Sequence, residues 1–160
     1  GHSFPTRRSS DLGHGGQLLG SQLQWLDDQL ALRPQAPTVL ILHHPPFISG
    51  IGHMDRERFI NAAALETVVA RHPQVERLLC GHLHRSMQRR FGGSLSCVCP
   101  GTSHQIVLDL QDAAPAHFNL EPAGYLLHRW DAQQGLVSHN GVFGDYPGPY
   151  PFYDAHGLID

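Results

Sequence analysis

The sequence has few features of a protein that binds nucleic acid or crosses a membrane. Its 160 residues carry a net charge of −3, and no run of Lys and Arg offers an electrostatic surface for a nucleic acid. No apolar run approaches the length that spans a bilayer, and no segment has the apolar core of a secretory signal peptide. We therefore expect neither a nucleic-acid partner nor a membrane association.

Cysteine is also scarce. The chain has three cysteines, and two of them, Cys97 and Cys99, alternate along one expected strand, while the third is Cys80. An odd number of cysteines in a mostly polar chain indicates reduced, partly buried thiols more often than a disulfide framework. The cysteine content therefore favours a cytoplasmic protein.

The amino terminus differs in character from the rest of the chain. Residues 2–12 read His-Ser-Phe-Pro-Thr-Arg-Arg-Ser-Ser-Asp-Leu, which is one translated frame of a common short-read sequencing adapter. We interpret residues 1–12 as an artefactual leader and expect the native sequence to begin near Gly13, inside a longer protein. The remainder is expected to form part of one domain, residues 13–142, followed by an extended tail rich in Gly, Pro and Tyr, residues 143–160.

The apolar pattern predicts an α/β protein. Leucines at helical spacing predict a helix that Ser21 caps and that runs to about Leu32, and a second helix is expected over residues 59–71. Two short apolar runs, Thr38–Leu42 and Val75–Cys80, predict buried strands on either side of the second helix. A strand–helix–strand unit of this kind favours parallel pairing of the two strands.

Beyond residue 84 the pattern changes to short strands separated by Gly, Pro and polar turns, which is typical of an antiparallel meander. The expected strands are residues 87–91, 94–99, 106–110, 124–131 and 136–142.

Histidine is the residue present in excess, with 13 in the chain. His-His-Pro-Pro at residues 43–46 follows the first expected strand, and Gly-His-Leu-His at residues 81–84 follows the second. The carboxyl ends of strands are where α/β proteins bind ligands. Two histidines two residues apart, with Gly81 giving the backbone freedom to turn, can aim at a shared centre. The combination favours a metal site, and imidazole suits Zn, Fe, Mn or Co.

No carboxylate in the sequence obviously completes such a site. Asp55 and Glu57 lie in the loop after the first histidine pair, but nothing in the sequence places them near the histidines. Three imidazoles alone resemble a mononuclear zinc site, and this alternative stays open on the residues alone. Most of the other histidines, His72 among them, are expected to be ordinary core or surface residues, whereas His53 lies in a loop that can line the pocket, as can Phe47 and Met54.

The chain resembles the carboxyl-terminal half of a calcineurin-like metallophosphoesterase, in the branch that holds glycerophosphodiester phosphodiesterases and class III cyclic nucleotide phosphodiesterases. The matching motifs are His-His-Pro-Pro-Phe at residues 43–47, Gly-His-Leu-His at 81–84 and Pro-Gly-Thr-Ser-His-Gln at 100–105. The last motif and the Tyr-rich tail favour the glycerophosphodiesterase side. The resemblance covers the chain from about Gly16 onward and implies one half of a four-layer α/β/β/α sandwich.

The resemblance also implies a cofactor and a reaction. It implies two divalent transition metal ions (Fe, Mn, Zn or Co), with His43 and His82 as ligands of one ion and His84 as a ligand of the other. The implied reaction is the hydrolysis of a small phosphodiester, glycerophosphodiester-like, by a hydroxide that bridges the two metals.

Three further residues take implied roles. His104 would contact the substrate phosphate, and His44 and Gly81 would support the metal ligands. The family's remaining ligands belong to Asp-x-His, Gly-Asp and Gly-Asn-His motifs, none of which precedes the first histidine pair here. A complete two-metal site is therefore not expected in this chain alone.

Two alternative functions stay open. One is a 3′,5′-cyclic nucleotide phosphodiesterase, and the other, of a different class, is a non-catalytic scaffold on the same fold. The resemblance further implies a bacterial-type intact protein that forms a homo-oligomer. Because half of a sandwich leaves a sheet edge and an apolar face uncovered, we expect this chain to self-associate when it is expressed alone.

Overall fold

The computed structural model describes residues 15–158, so the expected leader at residues 1–12 lies outside the described part of the chain. Within it the helices are α1 (Gly20–Ala31), α2 (Gly52–Asp55) and α3 (Ala62–Ala70). The strands of the main sheet are β1 (Thr38–Leu42), β2 (Val75–Cys80), β3 (Met87–Phe91) and β4 (Ser94–Val98). The outer strands are β5 (Gln105–Ile106), β6 (Phe118–Asn119), β7 (Gly124–Asp131), β8 (Gly135–Val142), β9 (Tyr153–Asp154) and β10 (Gly157–Leu158).

The main sheet has four strands in the order β1-β2-β4-β3. Strands β1, β2 and β4 run parallel, and β3 runs antiparallel to β4. The parallel pairing that the strand–helix–strand pattern predicts is confirmed, and so is the α/β class. Because parallel strands point the same way, the carboxyl ends of β1, β2 and β4 lie side by side at one edge of the sheet.

Helices α1 and α3 cover one face of this sheet. Leu65 of α3, Leu78 of β2 and Phe91 of β3 are fully buried there in one apolar cluster, with Leu30 of α1 at its border. Large apolar side chains removed completely from water contribute most of the stabilisation in a domain of this size. The arrangement is one helix layer on one sheet, which agrees with half of a layered α/β sandwich.

A hydrogen-bonded contact also joins the two helices. Asp27 of α1 accepts hydrogen bonds from Arg71, at 2.7 and 3.3 Å, and from Nε2 of His72 at 2.6 Å. The carboxylate of Asp27 therefore faces the end of α3. These bonds lower the pKa of the Asp27 carboxyl, His72 first and Arg71 second.

The opposite face of the sheet is only partly covered. Arg77 of β2 donates hydrogen bonds to the Leu136 carbonyl oxygen, at 3.0 Å, and to the hydroxyl of Ser138, both in β8. The hairpin of β7 and β8 therefore lies against β2 on this face. Ile41 of β1 is 80% exposed, so the edge strand presents apolar surface to solvent.

Three local predictions are wrong. Helix α1 begins at Gly20 rather than being capped by Ser21, because the side chain of Gln22 accepts the Leu19 N–H at 2.7 Å and takes over the capping role. The predicted single meander is instead three separate antiparallel pairs, β3 with β4, β5 with β6 and β7 with β8. The strand expected over residues 106–110 shortens to Gln105–Ile106 because β6 offers only two residues to pair with.

The end of the described chain, residues 143–158, is exposed and contains only the two-residue strands β9 and β10. The domain boundary predicted at residue 142 stays a prediction. No helix within residues 15–158 is long and apolar enough to span a membrane.

Candidate functional site

Three histidine-bearing segments meet at the carboxyl edge of the parallel strands. Strand β1 leads directly into His43, β2 leads into Gly81, and β4 leads through Cys99 into the segment that ends at His104. The Gly81 N–H donates to the His43 carbonyl oxygen at 3.0 Å, and the Cys99 N–H donates to the Cys80 carbonyl oxygen at 2.9 Å. Main-chain hydrogen bonds thus continue past the strand ends and hold the three segments together.

The imidazole rings gather in two adjacent groups. In the His82 group, formed by His43, His44 and His82, the ring centroids of His82 lie 4.1 Å from His44 and 5.3 Å from His43. In the His84 pair, formed by His84 and His104, the centroids are 4.5 Å apart. The structure therefore brings together all five histidines that the sequence motifs single out, as a trio and a pair.

His82 is the most perturbed titratable group of the site. Burial, followed by the neighbouring His44 and His43, lowers its pKa to about 4, although the nearby Glu57 acts in the opposite direction. A neutral imidazole keeps a lone pair free to bind a metal ion. Within residues 15–158, Nε2 of His82 and Nδ1 of His84 are buried and have no hydrogen-bond partner, which is unusual for buried polar atoms.

The backbone at these histidines is strained. His82 has φ 67° and His84 has φ 46°, a left-handed conformation that costs non-glycine residues about 1–2 kcal/mol each. Gly81 is not in this conformation, so the prediction that it supplies the turn is wrong: the two histidines turn the chain themselves. Between them, Leu83 is buried against Cys80 and Val98, which anchors the strained segment in the core. Strain of this kind is concentrated at functional sites.

The loop after the first histidine pair supports the site from its apolar side. Phe47 and Met54 are partly buried against the cluster of Cys80, Leu83 and Val98, so their packing is with the core beneath the histidine segment. The pocket-lining role expected for them stays a prediction.

The same loop contains two carboxylates with different positions. Asp55 accepts three hydrogen bonds from Ser49 and Gly50, at 2.8, 2.9 and 2.8 Å, and thereby fixes the loop. Oε2 of Glu57 lies 3.9 Å from Nε2 of His82. The sequence alone did not place Glu57 near the histidines, because a contact between residues 57 and 82 leaves no local pattern.

His104 lies on the open side of the site. Its Nδ1 is 3.0 Å from the hydroxyl of Ser103, and its ring lies 4.9 Å from the ring of Phe118. The neighbouring Gln105 is buried, and its side chain binds the backbone of Gly101. Gln105 is the last residue of the motif at residues 100–105, but the motif alone predicts no role for it.

The donor set fits part of a metal site rather than a whole one. Among residues 15–158, no group of three or more His, Cys, Asp or Glu side chains is arranged to hold a metal ion. The three-imidazole zinc site that the sequence left open is therefore not formed by the described residues. What is present is a neutral, half-buried imidazole and two buried, unpartnered ring nitrogens beside further imidazoles, which suits a site whose remaining donors come from elsewhere.

Known proteins with similar sequences are phosphodiesterases. The probable glycerophosphodiester phosphodiesterase GpdQ of Arcobacter nitrofigilis is 39% identical over 147 residues, which are 91% of this chain and 54% of that protein. A probable cyclic nucleotide phosphodiesterase of Rhodopseudomonas palustris is 34% identical over 147 residues, 91% of this chain and 53% of the relative. The 3′,5′-cyclic adenosine monophosphate phosphodiesterase CpdA of Escherichia coli K12 is 39% identical over 90 residues, 56% of this chain and 33% of CpdA.

The similarity to the Arcobacter nitrofigilis and Rhodopseudomonas palustris relatives covers 91% of this chain, although no protein-family model matches it. The chain spans about half the length of the GpdQ relatives that it matches. The resemblance inferred from the histidine motifs is thus confirmed: the chain is similar in sequence to part of the phosphodiesterases named GpdQ and CpdA.

Proposed function

We propose that this chain is the carboxyl-terminal half of a phosphodiesterase that hydrolyses small, glycerophosphodiester-like substrates with two divalent transition metal ions. The observation that carries the proposal is the convergence of three histidine-bearing segments at the carboxyl edge of β1, β2 and β4. The relatives named GpdQ support the substrate class.

His43 and His82 are proposed to hold one metal ion and His84 the other. Their separation into the His82 group and the His84 pair supports this division. The neutral state of His82 and the unpartnered nitrogens of His82 and His84 support a role as ligands. Bound metal ions would polarise the phosphoryl oxygens and supply the nucleophile at neutral pH.

His44 and Gly81 are proposed to support these ligands. The ring of His44 packs on the ring of His82, and the Gly81 N–H fixes the carbonyl of His43. Orientation of ligands by neighbouring groups is what allows a site to bind metal with a defined geometry.

His104 is proposed to contact the substrate phosphate. Its ring lies beside His84 but on the open side of the site, where a substrate can reach it. An imidazole in that position can donate a hydrogen bond to a phosphoryl oxygen as negative charge develops there. The hydroxyl of Ser103, bonded to Nδ1, would leave Nε2 directed to the substrate.

A 3′,5′-cyclic nucleotide phosphodiesterase is the second candidate. Two relatives with that activity in their names are 39% and 34% identical to this chain, which supports this candidate. The intact protein is further proposed to be a cytoplasmic homo-oligomer; the free thiols of the three cysteines support the cytoplasmic location.

The proposal is tested by metal retention and hydrolysis in the chain as it stands. The wild type, His82→Ala and His139→Ala are loaded with Mn²⁺, dialysed and assayed for bound metal and for hydrolysis of bis(p-nitrophenyl) phosphate. His139 is an exposed residue of β8 and serves as the matched control. Because only part of the ligand set is present, we expect weakly bound metal in the wild type and in His139→Ala, loss of that metal in His82→Ala, and weak hydrolysis that follows the metal.

Two outcomes would contradict the proposal. One is a folded wild type that retains no metal, and the other is hydrolysis that His82→Ala leaves unchanged. Rates on glycerophosphocholine and on cyclic AMP, compared in the same assay, distinguish the two substrate classes: a higher rate on cyclic AMP would favour the second candidate.

A further inference from the structure

We propose that Gln105 is a positioning residue, whose buried side-chain amide fixes the segment of residues 100–104 and thereby sets the place of His84 and His104. The inference rests on the proposed function, because it assigns to Gln105 the alignment of a metal ligand with the group that contacts substrate.

The side chain of Gln105 pairs with the backbone of a single residue. Its Oε1 accepts the N–H of Gly101 at 3.0 Å, and its Nε2 donates to the carbonyl oxygen of Gly101 at 2.8 Å. Gln105 is 4% exposed, and Gly101 is also buried. Both polar ends of the amide are thus satisfied by the backbone of one residue, which closes residues 101–105 into a fixed ring.

Gly101 is held from two further sides. Its carbonyl oxygen also accepts the N–H of Gly124 at 3.1 Å, where β7 begins. A Cβ at Gly101 would lie 3.1 Å from Cβ and Cγ of His84 and would clash with the carbonyl oxygen of His104. The backbone of Gly101 therefore lies against the base of the His84 ring on one side and the backbone of His104 on the other.

The position of Gly101 thus decides how the two histidines meet. His84 and His104 have ring centroids 4.5 Å apart, and each touches Gly101. Without the amide of Gln105, the N–H of Gly101 loses its acceptor and the carbonyl oxygen of Gly101 loses one of its two donors, so the segment is free to shift. A shift of Gly101 would change the separation of the pair without removing either imidazole.

The chain offers a matched control at the opposite end of the sheet. Gln74 precedes β2, and its Nε2 donates to the carbonyl oxygen of Leu30 at 2.9 Å. Gln→Met preserves side-chain length and removes the amide at either position. Both variants therefore remove a side-chain amide. Gln105→Met removes it beside the histidines, and Gln74→Met removes it far from them.

The experiment titrates Co²⁺ into the wild type, both Met variants and Gln105→Glu, and records the visible spectrum, the affinity and the thermal unfolding of each. Glu keeps the acceptor for the Gly101 N–H but loses the donor. For Gln105→Met we expect an altered Co²⁺ spectrum and an affinity lower by about 10–100-fold, the usual effect of losing a group that orients ligands. Gln74→Met should lower the melting temperature but keep the wild-type spectrum and affinity, and Gln105→Glu should be intermediate.

NMR cross peaks between the rings of His84 and His104, recorded without metal, provide a second readout. They should be weakened in Gln105→Met and retained in Gln74→Met. Retention of the cross peaks in a folded Gln105→Met variant would overturn the positioning role, as would a wild-type Co²⁺ spectrum in that variant. An equal loss of cross peaks and of Co²⁺ affinity in Gln74→Met would also overturn it. A wild type that binds no Co²⁺ but shows the Gln105-dependent cross peaks would instead overturn the proposed function and leave the positioning role standing.

Discussion

The helix-covered face of the sheet and its carboxyl edge differ in how well their residues suit a stable fold. On the face, Leu65, Leu78 and Phe91 are completely buried among apolar neighbours. At the edge, His82 and His84 hold left-handed backbone conformations and buried nitrogens without partners in the described chain. The apolar, fully buried side chains of the face are those of a stable core. The edge instead combines left-handed backbone with buried polar atoms that have no hydrogen-bond partner in the described chain. Local violations within an otherwise consistent fold are expected where function, not stability, determined the residues.

The largest expected effect on stability lies on the face. Phe91→Ala removes a side chain that is 0% exposed, and should lower the free energy of unfolding by about 3–5 kcal/mol. Urea denaturation measures the loss. Phe152→Ala, in the exposed tail, is the control and should change the free energy by less than about 0.5 kcal/mol. Similar values for the two variants would contradict the division between core and surface.

Overpacking at the edge should have a smaller cost in stability and a larger one in metal binding. Gly101→Ala forces a methyl group against His84 and His104, and should lower the free energy of unfolding by about 1–3 kcal/mol. The same variant should weaken Co²⁺ binding. Gly20→Ala, whose added methyl group meets nothing within 4 Å, should keep wild-type Co²⁺ affinity. Equal Co²⁺ affinities in Gly101→Ala and Gly20→Ala would show that Gly101 does not affect the site.

The contact between α1 and α3 predicts a pH effect on stability away from the edge. Hydrogen bonds from His72 and Arg71 lower the pKa of Asp27 below its usual 3.8. A carboxyl with a depressed folded-state pKa stabilises the protein above its unfolded pKa, and this contribution is lost as the pH falls through the folded value. Asp27→Asn should therefore be less stable than the wild type near neutral pH, and should lose less stability below about pH 4.

Arg71→Gln sharpens this prediction because it removes only the second of the two causes. Its stability, measured by urea denaturation across the acid range, should show a pH dependence between those of the wild type and Asp27→Asn. Parallel pH curves for the wild type and Asp27→Asn would show that the contact contributes nothing.

The smallest expected effect on stability is at the uncovered side of β1. Ile41→Lys places a charge at a side chain that is 80% exposed, and should change the free energy of unfolding by less than about 0.5 kcal/mol. Because charge on an edge strand opposes pairing with another chain, the variant should self-associate less than the wild type in sedimentation experiments. A wild type that sediments as a monomer would contradict the predicted self-association.

Sequence patterns correctly predicted those strands that are determined by residues adjacent in the chain. The strands Thr38–Leu42 and Val75–Cys80 have the expected bounds, because each is an apolar run that ends at a His or Gly. The histidines were found because motif and strand end coincide. The capping of α1 was predicted wrongly. Serine is common at helix starts, which favoured Ser21, but the side chain of Gln22 makes the capping hydrogen bond.

The parts that the sequence did not predict depend on contacts between distant residues. Glu57 lies near His82 although the two residues are 25 positions apart in the chain. Gln105 binds the backbone of Gly101, which is buried only in the folded protein. The turn was assigned to Gly81 because glycine tolerates left-handed backbone most easily, whereas anchoring of Leu83 in the core imposes that conformation on His82 and His84.

The central claim, that the histidines of the carboxyl edge bind divalent metal, is tested most directly by following every imidazole at once. We would record side-chain ¹H–¹⁵N spectra of the histidines while Zn²⁺ is added to the chain. The account predicts that the resonances of His43, His82 and His84 shift together at low Zn²⁺, before those of His139 and His156 in the exposed segments. Shifts confined to the exposed histidines, or none at the edge, would contradict it.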